Sequence, residues 1–181
     1  MSAPSMADDA RFDWFADTMG VRAGERVLEL GPGSGASLTR IAARLGSGRI
    51  VGVDRSATAL AQAERRCAAE IAAGRVRLVE GEIGKVRADR LLAQLDEGER
   101  FDLIFAVNVN LFWTGPATAS WSMMRRCLAP AGRIWLCYGY GTPDSPTPPT
   151  DRLAERLATA GYHCTPVTTD TLLAARATPI P

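Results

Sequence analysis

Short apolar segments alternate with longer amphipathic segments along almost the whole chain of 181 residues. Apolar runs of this length predict strands, and the amphipathic segments predict helices. The first five expected strands are residues 26–30, 49–54, 76–81, 101–108 and 133–140. The helices expected before and between them are residues 10–19, 36–45, 57–73, 84–96 and 116–128. Near-continuous apolar strands that alternate with helices favour a parallel sheet with helices on both faces.

The C-terminal part of the chain predicts a change of strand direction. A helix at 151–160 is followed by strands at 162–168 and 171–177, with only Thr169 and Asp170 between the two strands. So short a connection joins antiparallel neighbours and cannot form a parallel crossover. We therefore expect an α/β fold with a seven-stranded, mostly parallel, doubly wound sheet and a reversed C-terminal strand.

Length and composition predict one domain and argue against several classes of function. We expect one domain over residues 10–181, after a flexible N-terminus at residues 1–9. The net charge of +1 provides no strong attraction to nucleic acid or to an anionic membrane. No apolar run approaches the roughly 20 residues of a membrane span, and the N-terminal segment does not resemble a signal peptide. We therefore expect a cytoplasmic protein without nucleic-acid or membrane partners.

The cysteines and the single histidine do not predict a metal site. The four cysteines are widely spaced and form no Cys/His cluster with the spacing of a zinc site. The chain is rich in alanine and arginine, and Lys85 is its only lysine. This composition is typical of a GC-rich bacterial genome, so we expect a bacterial source. From the spacing of the cysteines we expect no bound metal.

The segment LELGPGSG at 28–35 places three glycines directly after the first predicted strand. Gly31, Gly33 and Gly35 alternate with Pro32 and a serine. Ligands of open parallel sheets bind beyond the carboxyl ends of the strands. Because glycine has no Cβ atom, its backbone can turn tightly and touch a ligand. The loop therefore predicts a ligand site.

Two cofactors fit this loop and the strand that follows. Asp54 ends the second predicted strand, about twenty residues further on, where a carboxylate can accept hydrogen bonds from a ribose. The nicotinamide dinucleotide pattern G-x-G-x-x-G/A is met with Ala36 as its last residue. The S-adenosylmethionine pattern, an acidic residue, one spacer and G-x-G-x-G, is met from Glu29 to Gly35. In the second case Glu29 is expected to face the cationic amino-acid end of the cofactor.

Five segments resemble motifs of the class I S-adenosylmethionine-dependent methyltransferases, and the resemblance covers about residues 20–177. The segments are VLELGPGSG, IVGVDRS, VEGEI, FDLIFAVNV and RRCLAPAGRIWL. The resemblance implies a Rossmann-like fold, methyltransferase activity and S-adenosylmethionine as cofactor. It places Asp54 at the ribose, Glu82 at the adenine amino group and the backbone N–H of Ile83 at the adenine ring. Glu82 stands where the family usually has aspartate. The complete cofactor-binding set expected is Glu29, Gly31, Pro32, Gly33, Gly35, Asp54, Arg55, Glu82, Ile83 and Asn108.

The acceptor side of the predicted site is marked by polar and aromatic residues. Asn108 follows the fourth strand and Tyr140 ends the fifth, so both are candidates for contact with the reacting groups. The residues expected to contact the acceptor are Trp14, Asn110, Trp113 and Tyr140. Two alternatives stay open, because asparagine often bonds to nearby backbone and the aromatic rings could simply cover the sheet.

His163 is the only histidine, and the topology predicts that it is not a catalytic base. It starts a strand parallel to the first, so it should lie at the edge opposite the ligand. Without a base at the site, the sequence favours methyl transfer to a small molecule, catalysed mainly by alignment.

Other functions are argued against but stay open. The segment AVNVNLFW lacks the Asn/Asp/Ser-Pro-Pro-aromatic motif of nucleic-acid amino methyltransferases. The alternatives are an S-adenosylmethionine-binding protein without activity and a nicotinamide-dependent reductase. The reductase would need a Tyr-x-x-x-Lys pair. The only lysine, Lys85, has no tyrosine four residues before it. The oligomeric state is not predicted.

Overall fold

The structure, a computed structural model, describes the backbone of residues 6–180 and the side chains of residues 10–180. The strands are β1 Arg26–Leu30, β2 Arg49–Asp54, β3 Val76–Glu80, β4 Phe101–Val107, β5 Leu128–Tyr138, β6 Tyr162–Thr168 and β7 Leu173–Pro179. The helices are α1 Met6–Met19, α2 Ala36–Leu45, α3 Ala57–Arg66, α4 Ala68–Ala72, α5 Ala88–Leu92, α6 Leu111–Thr114, α7 Thr118–Cys127 and α8 Thr150–Thr159. Within the described residues, seven strands form one sheet in the order β3-β2-β1-β4-β5-β7-β6.

Strand β1 lies inside the sheet between two parallel neighbours. Leu30 at its end is paired with Val53 of β2 and with Ala106 of β4. The β2–β3 and β4–β5 pairs are also parallel, whereas β7 runs antiparallel to both β5 and β6. The predicted sheet with a reversed C-terminal strand is therefore confirmed. The carboxyl ends of β1 to β5 meet at one edge, which we call the carboxyl edge.

Helices cover both faces of the sheet. Side chains alternate along a strand, so Val27 and Leu28 of β1 belong to two different core clusters. One cluster includes Phe15 of α1, and the other includes Trp121 of α7 and Leu157 of α8. No helix in the described part of the chain is long and apolar enough to cross a membrane.

The N-terminal helix is longer than the sequence predicts. Helix α1 begins at Met6, so residues 6–9, which we expected to be flexible, are helical. Residues 1–5, the rest of the predicted flexible segment, lie outside the described residues.

The predicted helix at 57–73 is wrong as a single element, because it breaks at Cys67. The backbone of Cys67 has φ −99° and ψ 19°, and its buried thiol lies 3.7 Å from the carbonyl oxygen of Gly35. Packing against the glycine loop thus interrupts a segment whose local pattern is continuously helical. The weak helix expected at 84–96 contracts to α5.

The segment after β4 also differs from the prediction. The helix expected at 116–128 is present as α7, but the short helix α6, which precedes it at Leu111–Thr114, was not expected. Strand β5 begins at Leu128 rather than at Arg133, and its pairing with β4 is irregular between Phe101 and Leu103. The remaining boundaries differ by no more than two residues.

Arg133 of β5 fastens the end of α1 to the sheet. Its Nε donates to the carbonyl of Met19 at 2.9 Å, and its Nη2 donates to the carbonyl of Gly20 at 2.7 Å. Its Nη1 and Nη2 also donate to the carboxylate of Glu25 at 2.7 and 2.9 Å. Burial by itself raises the pKa of Glu25, but the hydrogen bonds and charge of Arg133, together with the backbone N–H and charge of Arg22, outweigh this effect and hold the pKa below its ordinary value.

We expect Arg133→Met to lower the free energy of unfolding by ~3 kcal/mol at pH 7, because it leaves Glu25 without its partner. The lowered pKa of Glu25 means that this pair stabilises the folded state above the ordinary carboxyl pKa. Its contribution is lost as the pH falls through the folded-state value. Urea unfolding should therefore show that the difference in the free energy of unfolding between wild type and variant becomes smaller below about pH 4. Arg65→Met, on the exposed side of α3, is the control and should change little.

Candidate cofactor and acceptor site

The loop between β1 and α2 is held against the end of β2. The backbone N–H of Gly31 donates to the carbonyl of Val53 at 2.8 Å. Pro32 packs over Gly52, where a Cβ atom would lie only 2.9 Å from Pro32 Cγ. The close approach of the loop thus depends on a strand residue without a side chain.

Gly33 and Gly35 both have left-handed backbones, with φ of 55° and 81°, but their surroundings differ. A Cβ atom on Gly33 would have no protein atom within 4 Å, so this side of the loop is open. A Cβ atom on Gly35 would lie 2.9 Å from Cβ of Ala63, so Gly35 allows α2 and α3 to pack closely. Cofactor contact by the backbone of either glycine stays a prediction.

Asp54 joins the glycine loop to the start of α3. Its Oδ2 accepts from the backbone N–H of Gly33 at 3.0 Å, and its Oδ1 accepts from that of Ser56 at 2.9 Å. Ser56 caps α3 by accepting from the N–H of Ala59, as its sequence position suggests. The carboxylate of Asp54 therefore sets the position of the loop, and its predicted contact with a ribose would use its remaining acceptor capacity.

Glu29 is buried beneath the loop with half of its carboxylate unpaired. The residue is 1% exposed, and its Oε1 accepts from the hydroxyl of Ser37 at 2.5 Å. Oε2 has no hydrogen-bond partner among the described residues. Burial raises the pKa of Glu29 to about 8, against the effect of Ser37 and with a further contribution from Asp54. A cationic group beside Oε2 would satisfy this oxygen and favour the ionised form.

A cavity of 510 Å³ opens at the carboxyl edge of the sheet. Five of the predicted cofactor residues line it, namely Gly31, Asp54, Arg55, Glu82 and Ile83. The other lining residues are Gly84, Val109, Leu111, Ala117, Thr118, Ala119 and Ser120. Its volume lies in the range of about 300–1,000 Å³ that is typical of small-molecule sites.

Glu82 reaches the cavity from an exposed position. Its Oε2 lies 2.8 Å from Nζ of Lys85, and this hydrogen bond lowers the pKa of the carboxyl. Glu82 is therefore an ionised acceptor at the mouth of the cavity. Its predicted contact with an adenine amino group stays a prediction, as does that of the Ile83 backbone.

The start of α7 forms one wall of the cavity, and this wall was not predicted from the sequence. Ala117 has a left-handed backbone with φ 46°, and the first residues of α7 line the cavity. Ser120 is 1% exposed, and its hydroxyl has no hydrogen-bond partner in the described part of the chain. The available signal was Pro116, which marks the start of a helix but not what it faces.

Asn108 connects the ends of β4 and β5. Its Oδ1 accepts from the N–H of Gly139 at 2.8 Å, and its Nδ2 donates to the carbonyl of Gly139 at 3.2 Å. Its own backbone is left-handed, with φ 56°. Bonding to nearby backbone, one of the two alternatives raised by the sequence, is what the structure shows. A direct role of Asn108 toward cofactor or acceptor stays a prediction.

The residues predicted to contact the acceptor fall into two groups. Tyr140 is 47% exposed at the end of β5 and lies against Arg11 of α1, which also carries Trp14 one turn further on. Asn110 and Trp113 belong to the segment after β4, where Asn110 Oδ1 accepts from the Trp113 indole at 3.2 Å. The acceptor role of all four residues stays a prediction.

His163 lies where the topology predicts. It is exposed at the start of β6 and is paired with Thr178 of β7. Since β6 runs in the direction of β1, the start of β6 is at the edge opposite the glycine loop. His163 is therefore remote from the cavity.

The methyltransferase domain family matches residues 27–132, more than half of the chain. The chain belongs to the methyltransferase domain family. The assignment to class I S-adenosylmethionine-dependent methyltransferases is confirmed, and with it the cofactor. No curated protein matches this methyltransferase significantly by sequence.

Solved structures of other methyltransferases share the fold at low sequence identity. A SAM-dependent methyltransferase from Aquifex aeolicus has a TM-score of 0.72 and 16% identity, covering 97% of this chain and 93% of that one. The glycopeptide N-methyltransferase MtfA has a TM-score of 0.70 and 16% identity, covering 96% and 90%. Magnesium protoporphyrin IX methyltransferase from Synechocystis, with bound SAH, has a TM-score of 0.64 and 14% identity, covering 94% and 83%.

We expect Glu29→Gln to stabilise the ligand-free methyltransferase and to weaken cofactor binding. The pKa of about 8 exceeds the ordinary carboxyl value, so ionisation of Glu29 opposes folding increasingly as the pH rises between the two values. The gain in Tm should be absent near pH 4, should grow up to about pH 8 and should stay constant above it. Affinity for S-adenosylhomocysteine should fall by about ten-fold or more, the usual effect of a lost charged hydrogen bond. Unchanged affinity would show that Glu29 does not face the amino group.

Gly33→Ala and Gly74→Ala form a matched pair. Both glycines have left-handed backbones, with φ 55° and 71°, and neither would place a Cβ atom within 4 Å of another group. The backbone strain should therefore be similar, about 1–2 kcal/mol in each case. We expect similar losses of Tm, but weaker binding of S-adenosylhomocysteine only for Gly33→Ala. Equal affinities, measured by calorimetry, would show that the loop is structural only.

Proposed function

We propose that this methyltransferase acts on a small-molecule acceptor and works by aligning the acceptor with the cofactor, without a side-chain base. The observation that carries the proposal is the cavity at the carboxyl edge together with its two carboxylates. Asp54 lines the cavity, and Glu29 lies beneath the adjoining loop with one oxygen unpaired. This arrangement provides acceptors for a ligand with hydroxyl groups at one point and a cation at another.

The residues present fit S-adenosylmethionine. Glu29 would accept from the amino group and Asp54 from the ribose hydroxyls, while Glu82 and Ile83 would hold the adenine. The unpaired hydroxyl of Ser120 offers one further hydrogen bond inside the cavity. When bound, S-adenosylmethionine supplies an electrophilic methyl group with a neutral leaving group.

Alignment is the favoured mode of catalysis because the acceptor side holds no evident base among the side chains of residues 10–180. The amide of Asn108 is bonded to Gly139, and His163 lies at the opposite edge. The chain then contributes by positioning the acceptor and excluding water, which is sufficient for an acceptor that is already nucleophilic. Tyr140, exposed at the end of β5, is the candidate for contact with that acceptor.

A small molecule is favoured over nucleic acid by charge and by fold. The net charge of +1 provides no strong overall attraction to a phosphate backbone. Two of the structural neighbours are named for a glycopeptide and for magnesium protoporphyrin IX. Because the chain is rich in alanine and arginine, we also propose that the protein is bacterial and lies in the cytoplasm.

The test is a transfer assay with S-adenosylmethionine labelled in the methyl group. The panel contains small amines, thiols, phenols and carboxylic acids, together with RNA and DNA. We expect label in a small molecule with wild-type protein, and at least ten-fold less with Asp54→Asn at limiting cofactor. His163→Gln should stay within a few-fold of wild type, whereas loss of a general base would cost about 10²–10⁴-fold.

Three results would contradict the proposal. Label found only in nucleic acid would exclude a small-molecule acceptor. Absence of transfer to any member of the panel, despite measured cofactor binding, would favour a binding protein without activity. A hundred-fold loss in a stably folded His163→Gln variant would overturn catalysis by alignment.

A further inference from the structure

Arg11 of α1 lies between two aromatic rings at the carboxyl edge. Its guanidinium carbon is 4.5 Å from the centre of the Phe12 ring and 5.0 Å from the centre of the Tyr140 ring. These distances are within the range of cation–π interaction. The rings hold the guanidinium in place and shield it partly from water, which strengthens any hydrogen bond that it makes to an anion.

Arg11 has no acidic partner among the described residues. Its Nε is buried and has no hydrogen-bond partner there, and its Nη1 donates only to the carbonyl of Gly139, at 3.5 Å. The two acids of α1 whose side chains are described are engaged elsewhere, because Asp13 and Asp17 pair with Arg44 at 2.8 and 3.0 Å. Arg11 thus keeps one buried donor, Nε, without a partner in the described part of the chain, which is unfavourable unless a ligand satisfies it.

The position of Arg11 relates it to the reaction site through Gly139. The same carbonyl oxygen accepts from Arg11 Nη1 and from Asn108 Nδ2, at 3.5 and 3.2 Å. Asn108 directly follows β4, whose neighbour β1 leads into the glycine loop. Arg11 therefore lies beside the end of β4, on the side of the loop away from β2 and β3.

We propose that Arg11 binds a carboxylate of one of the two reactants. This inference rests on the proposed function, because it requires the cofactor and the acceptor to meet at this edge. A guanidinium matches a carboxylate with two parallel N–H donors, and Arg11 has an unpaired Nε beside its Nη groups. The carboxylate belongs either to the amino-acid end of the cofactor or to the acceptor, and the two sources can be separated by experiment.

The variants for the test are Arg11→Met and Arg11→Gln, with Arg125→Met as the matched control. Arg125 also lies over a tyrosine ring, at 5.7 Å from the centre of Tyr162, and also donates to a backbone carbonyl, that of Ala160. It lies at the opposite edge of the sheet, near the start of β6. Thermal unfolding of all three variants shows whether a change in binding follows from a loss of folding.

The first measurement is calorimetric binding of S-adenosylhomocysteine and of 5′-methylthioadenosine, which lacks the amino-acid end. If the carboxylate is that of the cofactor, both Arg11 variants should bind S-adenosylhomocysteine at least ten-fold more weakly and methylthioadenosine as wild type does. The second measurement is binding of benzoate and benzamide to protein saturated with S-adenosylhomocysteine. If the carboxylate is that of the acceptor, wild type should prefer benzoate, and only the Arg11 variants should lose this preference.

The proposal is wrong if the Arg11 variants match Arg125→Met in both measurements. Equal weakening of S-adenosylhomocysteine and methylthioadenosine would also overturn it, since that result would mean a structural role for Arg11. Failure of the wild-type protein to bind either nucleoside is a different result. It would contradict the cofactor site itself and would remove the basis of the inference.

Discussion

The position of β1 between two parallel neighbours is the constraint on which the rest of the site depends. Because β1 is hydrogen-bonded to β2 on one side and to β4 on the other, its last residue lies beside the ends of both. The glycine loop, Asp54 and Asn108 are therefore brought to one edge from three separate parts of the chain. Asp54 completes this arrangement by bonding to the N–H of Gly33 across the gap between β1 and β2.

Two carboxylates that are close in the sequence, those of Glu25 and Glu29, have pKa shifts in opposite directions. Glu25 is paired with Arg133, which lowers its pKa and makes the ionised form stabilising. Glu29, only four residues further on, is buried with one oxygen unpaired, and burial raises its pKa to about 8. An unpaired buried carboxylate opposes folding, and its position beside the cavity is the reason for our proposal that Glu29 faces a cationic ligand.

The sequence predicted the fold well because its strongest signals are local. Apolar runs and the short link after Thr168, four residues long in the structure and two in the prediction, were sufficient for the strand directions. It failed where a distant contact overrides the local pattern, as at Cys67, whose thiol packs under Gly35 and interrupts the helix. The sequence also missed the short α6 and the early start of β5, whose first residue, Leu128, pairs with Phe101 of β4.

The sequence by itself determined the family, through its resemblance in five segments. It also determined the order of the strands along the chain and the residues at the ends of β1, β2 and β3, since these follow from spacing within one segment. Only the tertiary structure decided which groups remain unsatisfied. Oε2 of Glu29, the hydroxyl of Ser120 and Nε of Arg11 have no hydrogen-bond partner within the described residues, and this becomes evident only after their surroundings are known. Whether a polar group is paired depends on contacts between residues far apart in the chain, and no local pattern contains that information.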